Sequence, residues 1–176
     1  MFQVPNSSLY IGNKEDAKNL GHASDYCIVH ACKSFFDTVE NTENFKNNPK
    51  LKVFQNELYV DWVDLPDPNL FDILTFNEIL DWIKQNSDSK KKFIHCDWGQ
   101  SRSATLTMVY MAKILHILPD DFHVAITEFK QIYPDYIAPS GISFFVKKNW
   151  LMLTRQKQIP SPHWKFWTPK CSIMKA

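Results

Sequence analysis

Cys96 and Arg102 lie six residues apart within residues 93–112, FIHCDWGQSRSATLTMVYMA, where a short apolar stretch ends at His95-Cys96, crosses a polar loop and enters a helical pattern. A thiol at a strand end followed by an arginine at a helix N-terminus is a phosphate trap. The residues between them, Asp97, Trp98, Gly99, Gln100 and Ser101, can turn their backbone N–H groups onto one anion, and the positive end of the helix dipole adds to the same field. That field predicts a thiolate. An ordinary cysteine titrates near 8.5, whereas one facing several N–H donors and a guanidinium falls to roughly 3.5–7.5 and is a standing nucleophile at neutral pH. Arg102 offers a planar fork that matches two phosphate oxygens, which lysine does not. The plain alternative for Cys96 is a buried small hydrophobe, the usual fate of a free cysteine.

Splitting a phosphate monoester with a thiolate needs a nucleophile in line, charge stabilisation of the equatorial oxygens, and a proton for the departing oxygen. Cys96 and Arg102 supply the first two. For the proton there are three upstream aspartates, Asp61, Asp64 and Asp67, which lie 35, 32 and 29 residues before the cysteine. Any one of them could equally be a solvated loop acid.

The elements that must hold these groups are legible in outline. Residues 9–13 read as a short strand closed by Gly-Asn, and residues 14–20 as a brief helix ended by Gly21. The continuous apolar, β-branched run at 26–31 has the character of a central strand buried on both sides, with His30 a satisfied core histidine. Residues 37–50 are polar loop with room for one helical turn. Residues 52–54 and 58–63 read as strands, broken by Pro66 and Pro68, which places the three aspartates on a strand end and the loop after it. Apolar residues at helical spacing from Leu70 to Trp82 predict a helix leading to the Phe93-Ile94 strand, a strand-helix-strand unit whose ligands bind at the carboxyl ends of its strands. A helix over 101–116 follows, with Leu106, Val109, Tyr110 and Leu115 as core candidates. Another runs from Pro119-Asp120 to about Tyr133, and a last one begins across 137–145. The expected fold is α/β, a single domain with a central, mostly parallel sheet flanked by helices.

His-Cys-x5-Arg-Ser, from His95 to Ser103, resembles the signature loop of the cysteine-dependent protein tyrosine phosphatases, specifically the dual-specificity branch. Residues 7–19, SSLYIGNKEDAKN, are similar to that branch's "LYLGN…DA" segment, and residues 137–145 to its "P…PN.GF" helix start, with Ser140 where asparagine is common. The resemblance covers roughly residues 6–155, leaving 156–176 as a basic, aromatic tail. It implies hydrolysis of phosphotyrosine, with phosphoserine or phosphothreonine as further substrates, through a phosphocysteine on Cys96, with no metal and no cofactor. Asp64, just after Trp62-Val63, matches the branch's general acid, while Asp67 in Leu-Pro-Asp echoes the "WPD" loop of the larger tyrosine phosphatases. Ser103 matches the hydroxyl that helps the thiolate leave, though a serine at a helix start is also an ordinary cap. His95 matches the histidine that braces the loop, and Gly99 permits its tight turn. Asp97, Trp98, Gly99, Gln100 and Ser101 would line the substrate. Related lipid phosphatases carry lysines in this loop. Here Asp97 would instead repel a second phosphate by roughly 0.5–2 kcal/mol, and Trp98 forms an aromatic lip for a peptide. The phosphoinositide 3-phosphatases that this family resembles carry a cysteine at the equivalent strand end, so Cys32 is a candidate to trap oxidised Cys96 as a disulfide, the plain alternative being a packed core thiol.

At 176 residues and 44% hydrophobic, the chain suffices for one core and not for two full domains. Four cysteines at unrelated spacings give neither a disulfide framework nor a zinc pattern, and a thiolate nucleophile needs a reducing compartment, which points to the cytoplasm. No signal peptide or membrane span is visible. The net charge of +1 conceals an asymmetry: from residue 136 on there are seven Lys/Arg and no acid, against 13 basic and 19 acidic residues before it. The basic tail suits an acidic partner or a membrane surface, or folds back on the acidic body; no nucleic-acid partner is expected. The expected partner is a phosphoprotein substrate. Rival readings are a phosphatase for phosphoinositide or RNA phosphate, a catalytically weak phosphopeptide-binding module, and a sulfurtransferase or arsenate reductase built on a cysteine loop.

Overall fold

Residues Tyr26–His30 are buried along their whole length, and their side chains alternate between two faces. The computed structural model describes residues 1–40, 42, 45–86, 90–138 and 140–155; the tail at 156–176 lies outside them. In chain order the elements are β1 (Phe2–Gln3), β2 (Leu9–Gly12), α1 (Lys14–Leu20), β3 (Tyr26–His30), α2 (Lys33–Phe36), β4 (Leu51–Phe54), β5 (Glu57–Val60), α3 (Ile73–Asn86), β6 (Lys91–His95), α4 (Arg102–Lys113), α5 (Phe122–Ile132) and α6 (Gly141–Thr154). The sheet order is β1-β2-β6-β3-β5-β4, with β2, β6, β3 and β5 mutually parallel and an antiparallel strand at each edge. The described residues thus form a single α/β domain.

Alternation along the strands divides the molecule into two layers around this sheet. Leu9, Ile11, Cys27, Val29, Leu58, Val60 and Ile94 face the large core shared with α3, α4, α5 and α6. Tyr26, Ile28 and Phe93 face a small cluster with Ala17 of α1 and Phe35 of α2. The fully enclosed Trp62, Phe76, Phe93 and Phe129 each stabilise the fold by about 1.5–3 kcal/mol through burial.

Capping chemistry fixes three helix starts. Leu70 belongs to a 3-10 turn at Pro68–Leu70, and α3 begins at Ile73, because Asp72 Oδ1 accepts the Thr75 N–H at 2.8 Å. Asp121 rather than Asp120 caps α5, accepting the N–H groups of His123 and Val124 at 2.9 Å. Ser140 caps α6 in a reciprocal box with Ser143. The α3 crossover also differs from a simple strand-helix-strand unit: β6 lies not beside β5 but beyond β3, which separates them. No helix among the described residues is long and apolar enough to cross a membrane.

Candidate active site

Strand β6 ends at His95, and the loop 96–101 bends back into α4 at the carboxyl edge of the sheet. Gly99 makes the bend possible. Its φ is +80°, and a Cβ there would come within 3.0 Å of the Gly12 carbonyl oxygen. Gly12, at the end of β2, is equally constrained, since a Cβ would meet the Phe93 ring at 2.5 Å. Backbone bonds tie the loop to its neighbours: Cys96 N–H to Gly12 O at 3.4 Å, Lys14 N–H to Asp97 O at 3.3 Å, and Ile137 N–H to Gln100 O at 2.9 Å. Tyr133 adds its hydroxyl to Gly99 O at 3.1 Å.

Within the loop, the Gly99 N–H donates to Cys96 Sγ at 3.3 Å and Ser103 Oγ lies 3.2 Å from the same sulfur. Cys96 and Ser103 are fully enclosed. Arg102, only 2% exposed, donates from Nη1 to the Trp62 carbonyl at 2.8 Å and from Nη2 to Asp97 Oδ2 at 2.7 Å. Its Nε is buried without a hydrogen-bond partner, its nearest acid being Asp64 Oδ2 at 3.5 Å. A buried guanidinium N–H left without a hydrogen bond costs about 1–3 kcal/mol.

Asp64 also accepts the Ser101 hydroxyl at 3.2 Å, which brings it to the mouth of the loop. Asp67 is engaged elsewhere, accepting from Asn69 N and Nδ2 at 2.9 Å as cap of the 3-10 turn, and Asp61 pairs with Lys33 at 3.5 Å. Asp97 turns its carboxylate onto Arg102 and onto Ser34 Oγ at 2.6 Å. Burial works to raise its pKa, but the Ser34 and Arg102 hydrogen bonds outweigh that and hold the carboxyl below its usual range. Trp98 is 70% exposed, with the Lys14 ammonium 5.5 Å from its ring centre. A cleft of about 300 Å³ opens between Trp98, Gln100 and Ser101 of the loop, Asp64, Leu65 and Pro66 of the acid-bearing loop, and Ile137 and Ser140 before α6. Cys96 does not line it.

Several contributors escape a reading of the sequence. Gly141, the first residue of α6, seats the acid-bearing loop: a Cβ there would overlap the Leu65 carbonyl oxygen and come within 2.9 Å of that of Asp67. Ser34, the Trp62 carbonyl and Tyr133 hold the loop from distant parts of the chain, and a serine or a backbone carbonyl announces nothing at the level of residue type. Cys32 is a fully buried free thiol at the start of α2, pushed up to about 11 by burial, and no disulfide involves it.

This is the fold of the dual-specificity branch of the cysteine-dependent protein tyrosine phosphatases. Among solved structures it is similar to DUSP15, at 20% identity over 87% of this chain and 89% of that one, with a TM-score of 0.58. It is similar also to human tyrosine phosphatase-like serine/threonine/tyrosine-interacting protein (16%, 82% and 92%, TM-score 0.55). The Yvh1 phosphatase domain from Chaetomium thermophilum is a third (15%, 84% and 92%, TM-score 0.55). No protein-family model and no curated protein sequence matches the chain.

Proposed function

We propose that the chain hydrolyses phosphate monoesters on proteins, phosphotyrosine first and phosphoserine or phosphothreonine beside it, through a phosphocysteine on Cys96. The observation that carries this reading is the Nε of buried Arg102, which makes no hydrogen bond and faces Asp64 at 3.5 Å, beside a loop whose sulfur already accepts a backbone N–H. The Cys96 thiolate attacks phosphorus while Arg102 and the loop N–H groups hold the equatorial oxygens, and Asp64 gives its proton to the departing oxygen. Water, deprotonated by the same carboxylate, then attacks the phosphocysteine and releases inorganic phosphate. Ser103, 3.2 Å from the sulfur, donates its hydroxyl to the departing thiolate. Asp97, Trp98, Gly99, Gln100 and Ser101 shape the substrate's approach. The chemistry of a thiolate suits a reducing compartment such as the cytoplasm.

The Asp97 carboxylate beside Arg102 favours a singly phosphorylated residue over a polyphosphorylated headgroup, because a second phosphate would approach a fixed negative charge. Purified protein and its Cys96→Ser variant, assayed against a panel of phosphopeptides, phosphoinositides and 5′-phosphorylated RNA, test the reading. Turnover of phosphopeptides by the wild type alone is expected. Tight phosphopeptide binding with no turnover would replace it with a phosphopeptide-binding module.

A further inference from the structure

On the α1 side of the sheet, away from the large core, three neighbouring strands carry a row of polar side chains. Glu57 on β5, His30 on β3 and His95 on β6 are 3%, 5% and 0% exposed. His30 Nε2 lies 3.1 Å from Glu57 Oε2, and His30 Nδ1 2.5 Å from His95 Nε2. His95 Nδ1 is 3.4 Å from the carbonyl oxygen of Cys96. The row thus ends against the back of the phosphate loop. Its other end meets solvent: His22, 67% exposed, reaches Glu57 Oε1 at 2.6 Å, beside a cleft of about 220 Å³. Phe35 and Tyr59 stack on the two faces of the His30 ring and fix its plane.

A count of protons shows what this row can do. The contacts Glu57–His30, His30–His95 and His95–Cys96 each need one hydrogen. A carboxylate only accepts, and a neutral imidazole carries a single N–H, so an ionised Glu57 with two neutral rings supplies two. His30 Nε2–H then donates to Glu57, His95 Nε2–H donates to His30 Nδ1, and His95 Nδ1 faces the Cys96 carbonyl with a lone pair. A third proton turns the inner contacts round. His30 then carries N–H on both nitrogens, and His95 accepts at Nε2 and donates from Nδ1 to the Cys96 carbonyl.

Burial fixes the resting count at two. It pushes His30 down against the opposing pull of Glu57, and burial together with His30 holds His95 at about 3. Burial raises Glu57, but hydrogen bonds from His30, Tyr59 and His22 outweigh it and hold the carboxyl at about 2. The other polar groups facing the row are His22, Lys18 and Asp16 on the α1 side, Tyr59 on β5, and Asp97 and Cys96 in the loop. Lys18 and His22 oppose a further proton, and Asp16 and Asp97 favour one.

We propose that Glu57 and His30 are positioning residues for the phosphate loop, acting through His95, and that the proton count of the row decides whether an N–H holds the Cys96 carbonyl. The proposal rests on the hydrolase reading of that loop. An N–H on the carbonyl polarises the Cys96–Asp97 peptide and strengthens its own N–H as a donor to an anion, as linked hydrogen bonds do.

Glu57→Gln separates proton count from shape. Its amide N–H donates to His30 Nε2 and turns the row round with no added proton. His30→Phe cuts the row while keeping a ring between Phe35 and Tyr59. Inorganic phosphate is titrated calorimetrically into wild type and both variants from about pH 7.5 to 5, corrected for phosphate's own ionisation, with ¹⁵N spectra of the histidine rings recorded alongside. In the wild type both rings should carry their proton on Nε2 across this range, since burial holds His95 at about 3 and lowers His30, and phosphate affinity should stay level. Glu57→Gln should move the His95 proton to Nδ1 and tighten phosphate by about 2- to 10-fold, the size of one net hydrogen bond. His30→Phe leaves His95 Nε2 with no acceptor, so the proton should move to Nδ1 there too, with the same tightening. An unmoved His95 proton, or a phosphate affinity equal to the wild type's, in either variant that folds overturns the proposal. Phosphate binding that follows the row in a protein without turnover would instead sink the hydrolase reading alone.

Discussion

Asp64 Oδ2 lies 3.5 Å from Arg102 Nε, with the Ser101 hydroxyl on its other oxygen at 3.2 Å. This relationship joins the loop after β5 to the loop at 96–101 and brings the proposed proton source and the proposed phosphate clamp to one mouth. Of the three upstream aspartates, Asp64 alone contacts the loop's arginine and also lines the cleft.

Asp64→Ala should therefore lower kcat by about 10²–10⁴ on alkyl phosphates and far less on substrates with good leaving groups, because only poor leaving groups need the proton. Asp67→Ala should leave that ratio unchanged and loosen only the 3-10 turn that it caps. A Brønsted plot of kcat against leaving-group pKa for both variants checks this. A selective loss in Asp67→Ala would transfer the acid's role to Asp67.

Gly141→Ala should partly reproduce the Asp64 defect from a distance. The new methyl displaces the Leu65 carbonyl and the loop carrying Asp64, at about 1–3 kcal/mol of stability, the usual cost of overpacking. Kinetics on a poor and a good leaving group decide it: equal losses on both would mean that the glycine serves packing alone.

Asp97→Asn should tighten inorganic phosphate by about 3- to 10-fold. It removes a negative charge beside the anion site, worth on the order of 1 kcal/mol at a partly exposed position, while the Trp62 carbonyl still holds Arg102 Nη1. Competitive inhibition by phosphate measures it. Weaker inhibition would show that Asp97 orients Arg102 more than it competes with the anion.

The loop at 96–101 was legible as a unit because Cys96, Gly99 and Arg102 fall within one short stretch, where residue type and order dictate a strand end, a tight turn and a helix start. What anchors it was not. The Trp62 carbonyl and the Ser34 hydroxyl are generic groups, and only the sheet order brings the one to Arg102 and the other to Asp97. Helix α3 was placed too early because Leu70 fits the apolar period, while the local caps, Asp67 for the turn and Asp72 for the helix, fix the real boundary. His30 was readable as a satisfied core residue; its partners were not, because β6 pairs with β3 across the sheet and not with β5.

Acid should destabilise the fold from the ordinary histidine range downward. His95, at about 3 when folded and near 6.5 unfolded, binds fewer protons in the folded state, so its contribution is lost as pH falls through that window. Glu57, at about 2 when folded and 4.5 unfolded, contributes above the latter value and loses it below, in the same direction. Urea midpoints measured from about pH 7 to 4 should fall steadily with pH. A flat profile would mean that the row takes up protons at the same pH folded as unfolded.

The central claim is a covalent phosphate on Cys96, and turnover quenched in alkaline denaturant tests it most directly. A ³²P-labelled phosphotyrosine peptide mixed with the enzyme and quenched within one turnover should leave label on the tryptic peptide containing Cys96, stable in alkali and released by iodine, as an S-phosphorylated cysteine is. Cys96→Ser should show neither label nor turnover while still binding inorganic phosphate. Steady-state hydrolysis by Cys96→Ser at wild-type rate, or label on any other residue, would contradict the account.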